Sequence, residues 1–267
     1  MKYQACYNGC MGLKPMICLH SQSVSDLLDD KTTEVVCLGE IDSTNNEAKR
    51  RIAEGQKNRL LITAERQSAG RGRMGRSFYS YLDGSVYMTL AMPAKAEDPA
   101  EITIAAAVAT AEAIECCTGI HLGIKWVNDL YLKGKKVCGI LCENIANDTT
   151  NYIIIGIGIN IGHKRIPKEL KSIAASIDIG GFPRENLIAE IVNRYDSSKN
   201  CSFENILARY RARSVLIGRT VEFEREGTRM QAAVLGIDEK GRLQVQTKEG
   251  CVLNLYSGEV SLAVKNE

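Results

Sequence analysis

Residues 60–91 read LLITAERQSAGRGRMGRSFYSYLDGSVYMTLA, and this stretch decides the fold. The apolar runs at its two ends predict two β-strands. The loop between them contains G-x-G-x-x-G at Gly70, Gly72 and Gly75, which is also the pattern of a dinucleotide-binding turn. That turn requires a helix immediately after it and an acidic residue about 20 residues further on. Because a strand follows here instead, we do not expect a dinucleotide site.

The glycine-arginine loop, residues 67–76, carries three arginines within six residues, namely Arg71, Arg73 and Arg76. Guanidinium groups bind phosphate and carboxylate through paired hydrogen bonds. Glycines let backbone amides approach a ligand closely. The composition is consistent with an anion-binding loop, but a solvated basic loop or a nucleic-acid contact would have the same composition, so these three interpretations stay open.

The segments around this loop predict a chain that changes character near residue 214. Up to that point short strands alternate with helices, and from Gly218 onward short strands separated by glycine turns predict a small all-β unit. Helix starts and ends are indicated by capping residues, by a first-turn proline and by terminal glycines. The predicted elements are a strand at 34–39, helices at 45–54 and 98–119, a hairpin that turns at 133–134, a buried strand at 152–161 and two helices within 184–214.

Three further segments place polar residues or glycines at a predicted strand or helix end. In KWVND (125–129), a lysine beside the only tryptophan would set a positive charge against a transferring phosphate, although a surface ion pair is equally consistent. In GIGIN (156–160), alternating glycines leave bare backbone on one face, which suits a flat ligand or a tight helix crossing. Residues 43–45, Ser-Thr-Asn, suit a helix cap, whose free N–H groups also bind carboxylates.

The composition is that of an ordinary globular protein, with 267 residues, 45% hydrophobic and 25% charged, and a net charge of +2. The sequence has no apolar run of about 18 residues and no secretory signal pattern, so we expect a cytoplasmic protein without a membrane span. We expect residues 1–33 to form an irregular leader. Its Cys6, Cys10, Cys18 and His20 are spaced too irregularly to favour zinc, and we predict no metal site.

Taken together and in this order, the motifs resemble those of the biotin–protein ligases, also called biotin–[acetyl-CoA-carboxylase] ligases. The resemblance spans about residues 35–264. It is carried by DSTN (42–45), AERQSAGRGRMGR (64–76), KWVNDLYLKGKKVCGIL (125–141), IIIGIGIN (153–160), AASI (174–177) and YSGEVSL (256–262). It implies an α+β fold, with a catalytic domain built on a central mixed β-sheet over 34–214 and a small SH3-like β-barrel over 215–267.

The resemblance also implies a two-step reaction. The carboxylate of biotin attacks the α-phosphate of Mg-ATP, which gives biotinyl-5′-AMP and pyrophosphate. A lysine of a biotin carboxyl carrier domain then attacks this mixed anhydride and releases AMP. Biotin, ATP and Mg²⁺ are therefore the expected small-molecule partners, and positioning and charge stabilisation are the expected tasks of the protein.

The resemblance implies a role for each matching residue. The expected catalytic residues are Lys125, near the biotin carboxylate and the α-phosphate, and Arg73, which retains the activated intermediate. The residues expected to bind biotin are Ser43, Thr44, Asn45, Gln67, Arg71, Gly72, Arg73, Lys125, Gly139, Gly156 and Gly158. Those expected to bind ATP and the adenylate are Gly70, Arg73, Arg76, Asn128, Asp129 and Asn160.

Two positions depart from the usual pattern, since Val127 replaces a proline and Met74 replaces a residue that is often basic. A lipoate or octanoate ligase of the same superfamily and a biotin-responsive binding protein are the alternative functions. We expect no direct DNA binding, because the residues before the first strand contain no basic recognition helix. The sequence leaves open whether the chain forms a homodimer.

Overall fold

A computed structural model describes residues 18–80, 84–94, 98–146, 151–162, 166–225, 227–256 and 260–262. Within these residues the first sheet has seven strands: β1 (Glu34–Ile41), β2 (Leu60–Gln67), β3 (Val86–Pro93), β4 (Gly123–Lys125), β5 (Asp129–Leu132), β6 (Lys135–Ala146) and β7 (Asn151–Ile159). Their order across the sheet is β1-β2-β3-β7-β6-β5-β4, and only β1 and β2 run parallel. The predicted central mixed sheet is therefore confirmed.

The helices of this part are α1 (Ser21–Leu27), α2 (Thr44–Ala53), α3 (Pro99–Thr118), α4 (Arg184–Ser198) and α5 (Phe203–Ala212). Helix α3 begins as its sequence predicts, since Asp98 accepts a hydrogen bond from the Ala100 amide and Pro99 occupies the first turn. It ends at Gly119, whose φ of 71° suits a residue without a side chain. Helices α3, α4 and α5 share one large apolar core with the sheet, whereas α2 packs on the opposite face.

The segment before the first strand differs from the expected irregular leader. Residues 21–27 form helix α1, and Val24 and Leu28 are fully buried against the core. The backbone amide of Leu19 donates a hydrogen bond of 2.8 Å to Glu65 on β2. The side chains of Leu19, Val24 and Leu28, spaced five and four residues apart, form one buried apolar face, which accounts for the docking of this segment. Cys6 and Cys10 of the irregular cysteine set lie outside the described residues.

The second sheet is antiparallel and contains β8 (Thr220–Arg225), β9 (Thr228–Ile237), β10 (Leu243–Thr247), β11 (Val252–Leu255) and β12 (Val260–Leu262). Their order is β11-β10-β9-β8-β12. The prediction of a small all-β unit consistent with an SH3-like barrel is confirmed. Two buried hydrogen bonds join this region and the helices to the KWVND segment: Trp126 Nε1 donates to the Gly241 carbonyl, and the Tyr210 hydroxyl donates to the Val127 carbonyl, both at 2.9 Å.

In the part of the chain that the structure describes, none of the helices has the length and apolar character needed to cross a membrane.

Candidate active site

The cleft lies on the sheet face that α2 covers only in part. On β7, Tyr152 and Ile154 pack in the same cluster as α2, whereas Gly156 and Gly158 further along that face line the cleft. The start of α2, the end of β2, the glycine-arginine loop and β6 form the other sides of the cleft. The lining residues are Ser43, Thr44, Asn45, Gln67, Arg71, Gly72, Arg73, Phe78, Met88, Asn128, Lys136, Gly139, Ile140, Leu141, Gly156, Ile157 and Gly158.

Glycines form the floor of the cleft, because other side chains occupy the space that their Cβ atoms would need. A Cβ on Gly156 would lie 2.2 Å from Asn45 Oδ1, and one on Gly158 would lie 2.5 Å from Phe78 Cε1. Gly139 pairs with Gly158 across the two strands, and its Cβ would lie 3.2 Å from the same ring. The face of bare backbone expected from the GIGIN segment is therefore present, and Phe78 lies on it.

Thr44, Asn45 and Gln67 line one side of the cleft, and together with Thr89 behind them they form a set of four buried polar side chains, which we call the polar wall. Gln67 Oε1 accepts hydrogen bonds from the Thr44 amide at 2.8 Å and from its hydroxyl at 3.1 Å. Thr89 Oγ1 lies 2.7 Å from Asn45 Oδ1 and 2.8 Å from Thr44 Oγ1. A buried network of this kind fixes the directions of its donors and acceptors.

Ser43 lies beside this wall, and Thr89 is the member of the wall that sequence reasoning left out. Ser43 is the N-cap residue of α2 and is 1% exposed, but its side chain makes no capping hydrogen bond. The interpretation as a simple helix cap therefore does not account for its hydroxyl. Thr89 was not singled out from the sequence, because one threonine within an apolar strand carries no signal of a site.

Glu143 on β6 anchors the polar wall from behind. Its Oε2 accepts a 2.9 Å hydrogen bond from Asn45 Nδ2, and its Oε1 lies 2.7 Å from Lys49 Nζ. Burial raises the pKa of Glu143, but hydrogen bonds from Lys49 and Asn45, together with the charges of Lys49 and Arg71, outweigh burial and lower the pKa below its ordinary value. Glu143 is therefore ionised at neutral pH. Sequence reasoning missed this residue too.

The glycine-arginine loop brings two of its three arginines to the cleft. Arg71 donates a 3.0 Å hydrogen bond to Asn46 on α2, and Arg73 donates one of 3.3 Å to Asn128. Both line the cleft, whereas Arg76 does not. The loop is tightened by a 2.7 Å bond from the Gly72 amide to the Arg76 carbonyl, and Met74 at its tip is 75% exposed with a φ of 55°.

The lysine in the cleft is Lys136, not Lys125. Lys136 Nζ lies 2.7 Å from Asp129 Oδ1 and 5.8 Å from the centre of the Phe78 ring. Lys125 does not line the cleft, and its Nζ lies over the ring of Tyr131 at 5.5 Å. Strand order explains the difference: Lys125 is on the edge strand β4, two strands further from the glycine floor than β6.

The remaining residues expected to bind the adenylate are divided between the cleft and its surroundings. Asn128 lines the cleft and donates a 2.7 Å hydrogen bond to the Ile140 carbonyl. Gly70, Asp129 and Asn160 do not line it. Asp129 reaches the cleft through its ion pair with Lys136. A Cβ on Gly70 would lie 2.3 Å from Ser80 Oγ, so its backbone supports the base of the loop.

Asn160 is buried behind the end of β7. Its Nδ2 donates a 3.2 Å hydrogen bond to the Ala175 carbonyl, and its Oδ1 is buried without a hydrogen-bond partner among the described residues. The amide of Lys136 donates to the Ile173 carbonyl, and the amide of Ala175 donates to the Lys136 carbonyl, both at 2.9 Å. The AASI segment (174–177) and its neighbour Ile173 thus hold the backbone that carries the cleft lysine.

The described residues contain no group of three His, Cys, Asp or Glu side chains that would hold a metal ion. The Trp126–Val127 peptide bond, at the position of the usual proline, is cis, and both side chains are buried.

Two family profiles match the chain. That of the Biotin/lipoate A/B protein ligase family matches residues 38–160, which include the polar wall, the loop and the glycine floor. That of the Biotin protein ligase C terminal domain matches residues 216–263, the region of the second sheet. The chain belongs to the biotin protein ligase family. The expected family is therefore confirmed.

Individual relatives agree with this family. The chain is 34% identical over 214 residues to the "Bifunctional ligase/repressor BirA" of Bacillus subtilis, covering 76% of this chain and 66% of that protein. It is 29% identical over 216 residues to the "Biotin--[acetyl-CoA-carboxylase] ligase" of Mycobacterium tuberculosis, covering 75% of this chain and 79% of that protein. The chain thus spans slightly less than two thirds of the length of the Bacillus relative.

The fold is also similar to that of solved family members. The structure of the biotin protein ligase from Aquifex aeolicus in complex with biotin and ATP superposes with a TM-score of 0.74 at 29% sequence identity. The match covers 86% of this chain and 98% of that one. Its apo structure matches with a TM-score of 0.69 at 26% identity over the same share of both chains.

Proposed function

We propose that this chain activates biotin with ATP to biotinyl-5′-AMP and transfers the biotin to a lysine of a biotin carboxyl carrier domain. The observation that carries the proposal is one cleft that combines a buried polar wall, a floor of bare backbone and three cationic side chains. The cations are Arg71, Arg73 and Lys136. Biotin has a neutral bicyclic ring, which suits the polar wall and the floor, and an anionic side chain, which suits the cations. The similarity to a solved ligase in complex with biotin and ATP also supports the proposal.

The polar wall suits the ureido group of biotin, which offers both N–H donors and a carbonyl acceptor. Gln67 Oε1 is held by Thr44, so its amide nitrogen remains the donor of that side chain. Thr44 and Ser43 supply hydroxyl groups beside it. Gly139, Gly156 and Gly158 have no side chains on the floor, so Asn45 and Phe78 pack directly against its backbone beside the place proposed for the ring system.

Positive charge beside the place proposed for the biotin ring would favour the first step, the formation of biotinyl-5′-AMP. A carboxylate oxygen of biotin forms a bond to the α-phosphorus of ATP, and the bond from that phosphorus to pyrophosphate breaks. Both reactants are anionic, so Lys136 and Arg73 would reduce their repulsion and stabilise the charge of the transition state. We assign the central role to Lys136 in place of Lys125, because Lys136 is the lysine that lines the cleft.

The glycine-arginine loop and the end of β7 would retain the adenylate. Arg71, Gly72 and Arg73 line the cleft from the loop, and closure of the loop over the anhydride would exclude water. The buried Oδ1 of Asn160 is an acceptor that suits an amine of the nucleotide base. Gly70 and Arg76 act in this scheme by supporting the loop.

Magnesium enters this scheme with ATP as Mg-ATP. Two oxygen groups beside the cationic cluster are the carboxylate of Asp129, next to Lys136, and the amide oxygen of Asn128, next to Arg73, and oxygen is the ligand that Mg²⁺ prefers. These two residues fit a shared role with the phosphates of ATP, which supply most of the ligands of Mg²⁺ in nucleotide sites. Bound there, Mg²⁺ would neutralise charge on the pyrophosphate leaving group.

In the second step the acceptor amine forms a bond to the carbonyl carbon of the anhydride, and AMP leaves as that carbon–oxygen bond breaks. The step needs no covalent enzyme intermediate, so positioning is the task left to the protein. Carrier-domain specificity and the absence of DNA binding remain predictions, and whether the chain forms a homodimer stays open.

The test is a single-turnover assay with purified protein, biotin and Mg-ATP, with and without a biotin-carrier domain. Formation of biotinyl-5′-AMP and streptavidin-detected transfer are measured separately, and both are expected. Biotin binding without an adenylate would overturn the ligase in favour of a biotin-responsive binding protein, which a salt-dependent DNA shift would then support. An adenylate formed preferentially from lipoate or octanoate in direct competition would favour the alternative ligase.

A further inference from the structure

Glu143 and Lys49 are two charged residues at the back of the cleft that the proposed reaction does not use. Neither lines the cleft. Their side chains are 22% and 28% exposed and form an ion pair of 2.7 Å. What distinguishes this pair from other ion pairs is that Glu143 also accepts a hydrogen bond from Asn45, a member of the polar wall.

An ionised carboxylate accepts hydrogen bonds and cannot donate them. Asn45 must therefore turn its NH₂ group toward Glu143, which leaves its Oδ1 facing Thr89 at 2.7 Å. This oxygen is an acceptor, so the Thr89 hydroxyl must donate its single proton to it. The charge of Glu143 thereby sets the direction of two successive hydrogen bonds inside a wall whose members are at most 6% exposed.

The direction continues to Thr44. Since the proton of Thr89 points to Asn45, the 2.8 Å contact between the two hydroxyls is made only when Thr44 donates to Thr89. The other neighbour of the Thr44 hydroxyl is Gln67 Oε1 at 3.1 Å, which is also an acceptor. In either arrangement the Thr44 proton is used within the protein, and its oxygen presents only lone pairs to the cleft.

We propose that Glu143 is a positioning residue that keeps both lone pairs of the Thr44 hydroxyl free of Thr89 and so strengthens the binding of a ligand N–H group at that place. This inference rests on the proposed function, because a ureido N–H of biotin is the group it would select. It adds to that function a charged residue outside the cleft, Glu143, that controls how the cleft recognises the ureido group.

The ion pair with Lys49 makes the inference testable. In Glu143→Gln the Lys49 ammonium still needs a hydrogen-bond acceptor, and the oxygen of the introduced glutamine amide supplies it. The NH₂ group of that glutamine then faces Asn45. Two donors then face each other, and Asn45 must rotate its amide. The proton of Thr89 moves to Thr44, which loses one lone pair toward the cleft.

The experiment measures the dissociation constant of biotin by calorimetry and the KM and kcat of adenylate formation. Glu143→Gln is expected to weaken biotin binding and raise KM by about tenfold with kcat nearly unchanged. Lys49→Met, which keeps the carboxylate, is expected to change the dissociation constant by less than about threefold. The double variant frees the new amide to present its oxygen to Asn45 and is expected to restore binding to within about threefold of the wild type.

A merely structural ion pair gives the opposite pattern, because the double variant would then bind as weakly as Glu143→Gln or more weakly. That result would overturn the proposal, and so would a loss confined to kcat. Circular dichroism and thermal unfolding of each variant show whether it is folded.

A second readout does not depend on biotin. The side-chain amide protons of Asn45 are expected to exchange slowly and to resonate downfield in the wild type and in the double variant, and to shift in Glu143→Gln. If wild-type protein fails to bind biotin while this NMR pattern is seen, the proposed function fails and the orientation by Glu143 stands. Identical Asn45 signals in wild type and Glu143→Gln would overturn the orientation itself.

Discussion

The polar wall and the glycine-arginine loop bound the same cleft but are built in opposite ways. Every member of the wall is at most 6% exposed and is bonded to other buried side chains. The loop is held at its base by amide hydrogen bonds from Ser68 and Ala69 to the Ile41 and Asp42 carbonyls, and further along it Arg71 and Arg73 bond to Asn46 and Asn128, but its tip, Met74, is 75% exposed. A rigid wall suits recognition of a ring that never changes, whereas a loosely held loop suits a ligand that must enter and then be covered.

The largest expected effect concerns the lysine that supplies positive charge to the cleft. Lys136→Ala is expected to slow adenylate formation by roughly a thousandfold, because it removes a cation from the place where charge develops. Lys125→Ala is the matched control and is expected to change the rate by less than about threefold. Rapid-quench measurement of adenylate formation checks both variants. Equal losses in the two variants would show that strand β4 contributes to the chemistry and that the cleft as described is incomplete.

A substitution at Gly156, on the floor of the cleft, tests how rigid the polar wall is. Gly156→Ala places a Cβ 2.2 Å from Asn45 Oδ1, which cannot move without breaking its bond to Thr89. We expect biotin binding to weaken by about 30-fold and the free energy of unfolding to fall by about 2 kcal/mol.

Calorimetry and urea unfolding measure these two changes. Gly39→Ala on β1 is the control, because its Cβ would meet nothing within 4 Å. If Gly156→Ala binds biotin as the wild type does, the wall is as adaptable as the loop, and the contrast between them is lost.

Acid provides a graded test of the wall. Burial raises the pKa of Glu143, but Lys49 and Asn45 more than offset it, and the folded-state pKa lies below the ordinary value of 4.5. A depressed carboxyl pKa contributes stability above the unfolded-state pKa, and this contribution is lost as the pH falls through the folded-state pKa.

The difference in the free energy of unfolding between wild type and Glu143→Gln is therefore expected to be constant from pH 7 to about 5 and to shrink at lower pH. Urea unfolding at a series of pH values measures it. A difference that grows on acidification would mean that folding raises the pKa of Glu143 and does not lower it.

The smallest expected effect belongs to the loop. Met74→Lys restores the basic residue usual at this position, at a side chain that is 75% exposed. We expect the free energy of unfolding to change by less than about 0.5 kcal/mol, as for most surface substitutions. Release of the adenylate is expected to slow by no more than a few fold. Stopped-flow release and thermal unfolding check this, and a large loss of stability would show that the loop tip is packed as tightly as the wall.

The fold was predictable where the signal is local. Capping residues and a terminal glycine marked helix α3, and alternating glycines marked the open face of β7. The glycine-arginine loop was recognisable because a run of glycines and arginines has few structural uses. Helix α1 was missed because it is seven residues long and owes its order to burial of Val24 and Leu28 against other elements.

The choice between the two lysines was not predictable in this way. Lys125 and Lys136 stand eleven residues apart, each beside a predicted strand, and both follow sequence patterns that suit a site. Strand order decides between them, because β6 pairs with β7 and its glycine floor whereas β4 lies at the edge of the sheet. Phe78, Thr89 and Glu143 likewise acquire a place in the site only through contacts with distant residues.

The sequence by itself thus determined the family, the order of the elements and the residue types of the cleft, because these depend on local periodicity, capping and short motifs. The tertiary structure alone decided which lysine lies in the cleft and which carboxylate bonds to the polar wall. Those outcomes depend on strand register and on hydrogen bonds between residues such as Asn45 and Glu143, which lie 98 positions apart. Hydrogen bonds and charges act over a few ångströms of space, and only the folded sheet sets those distances.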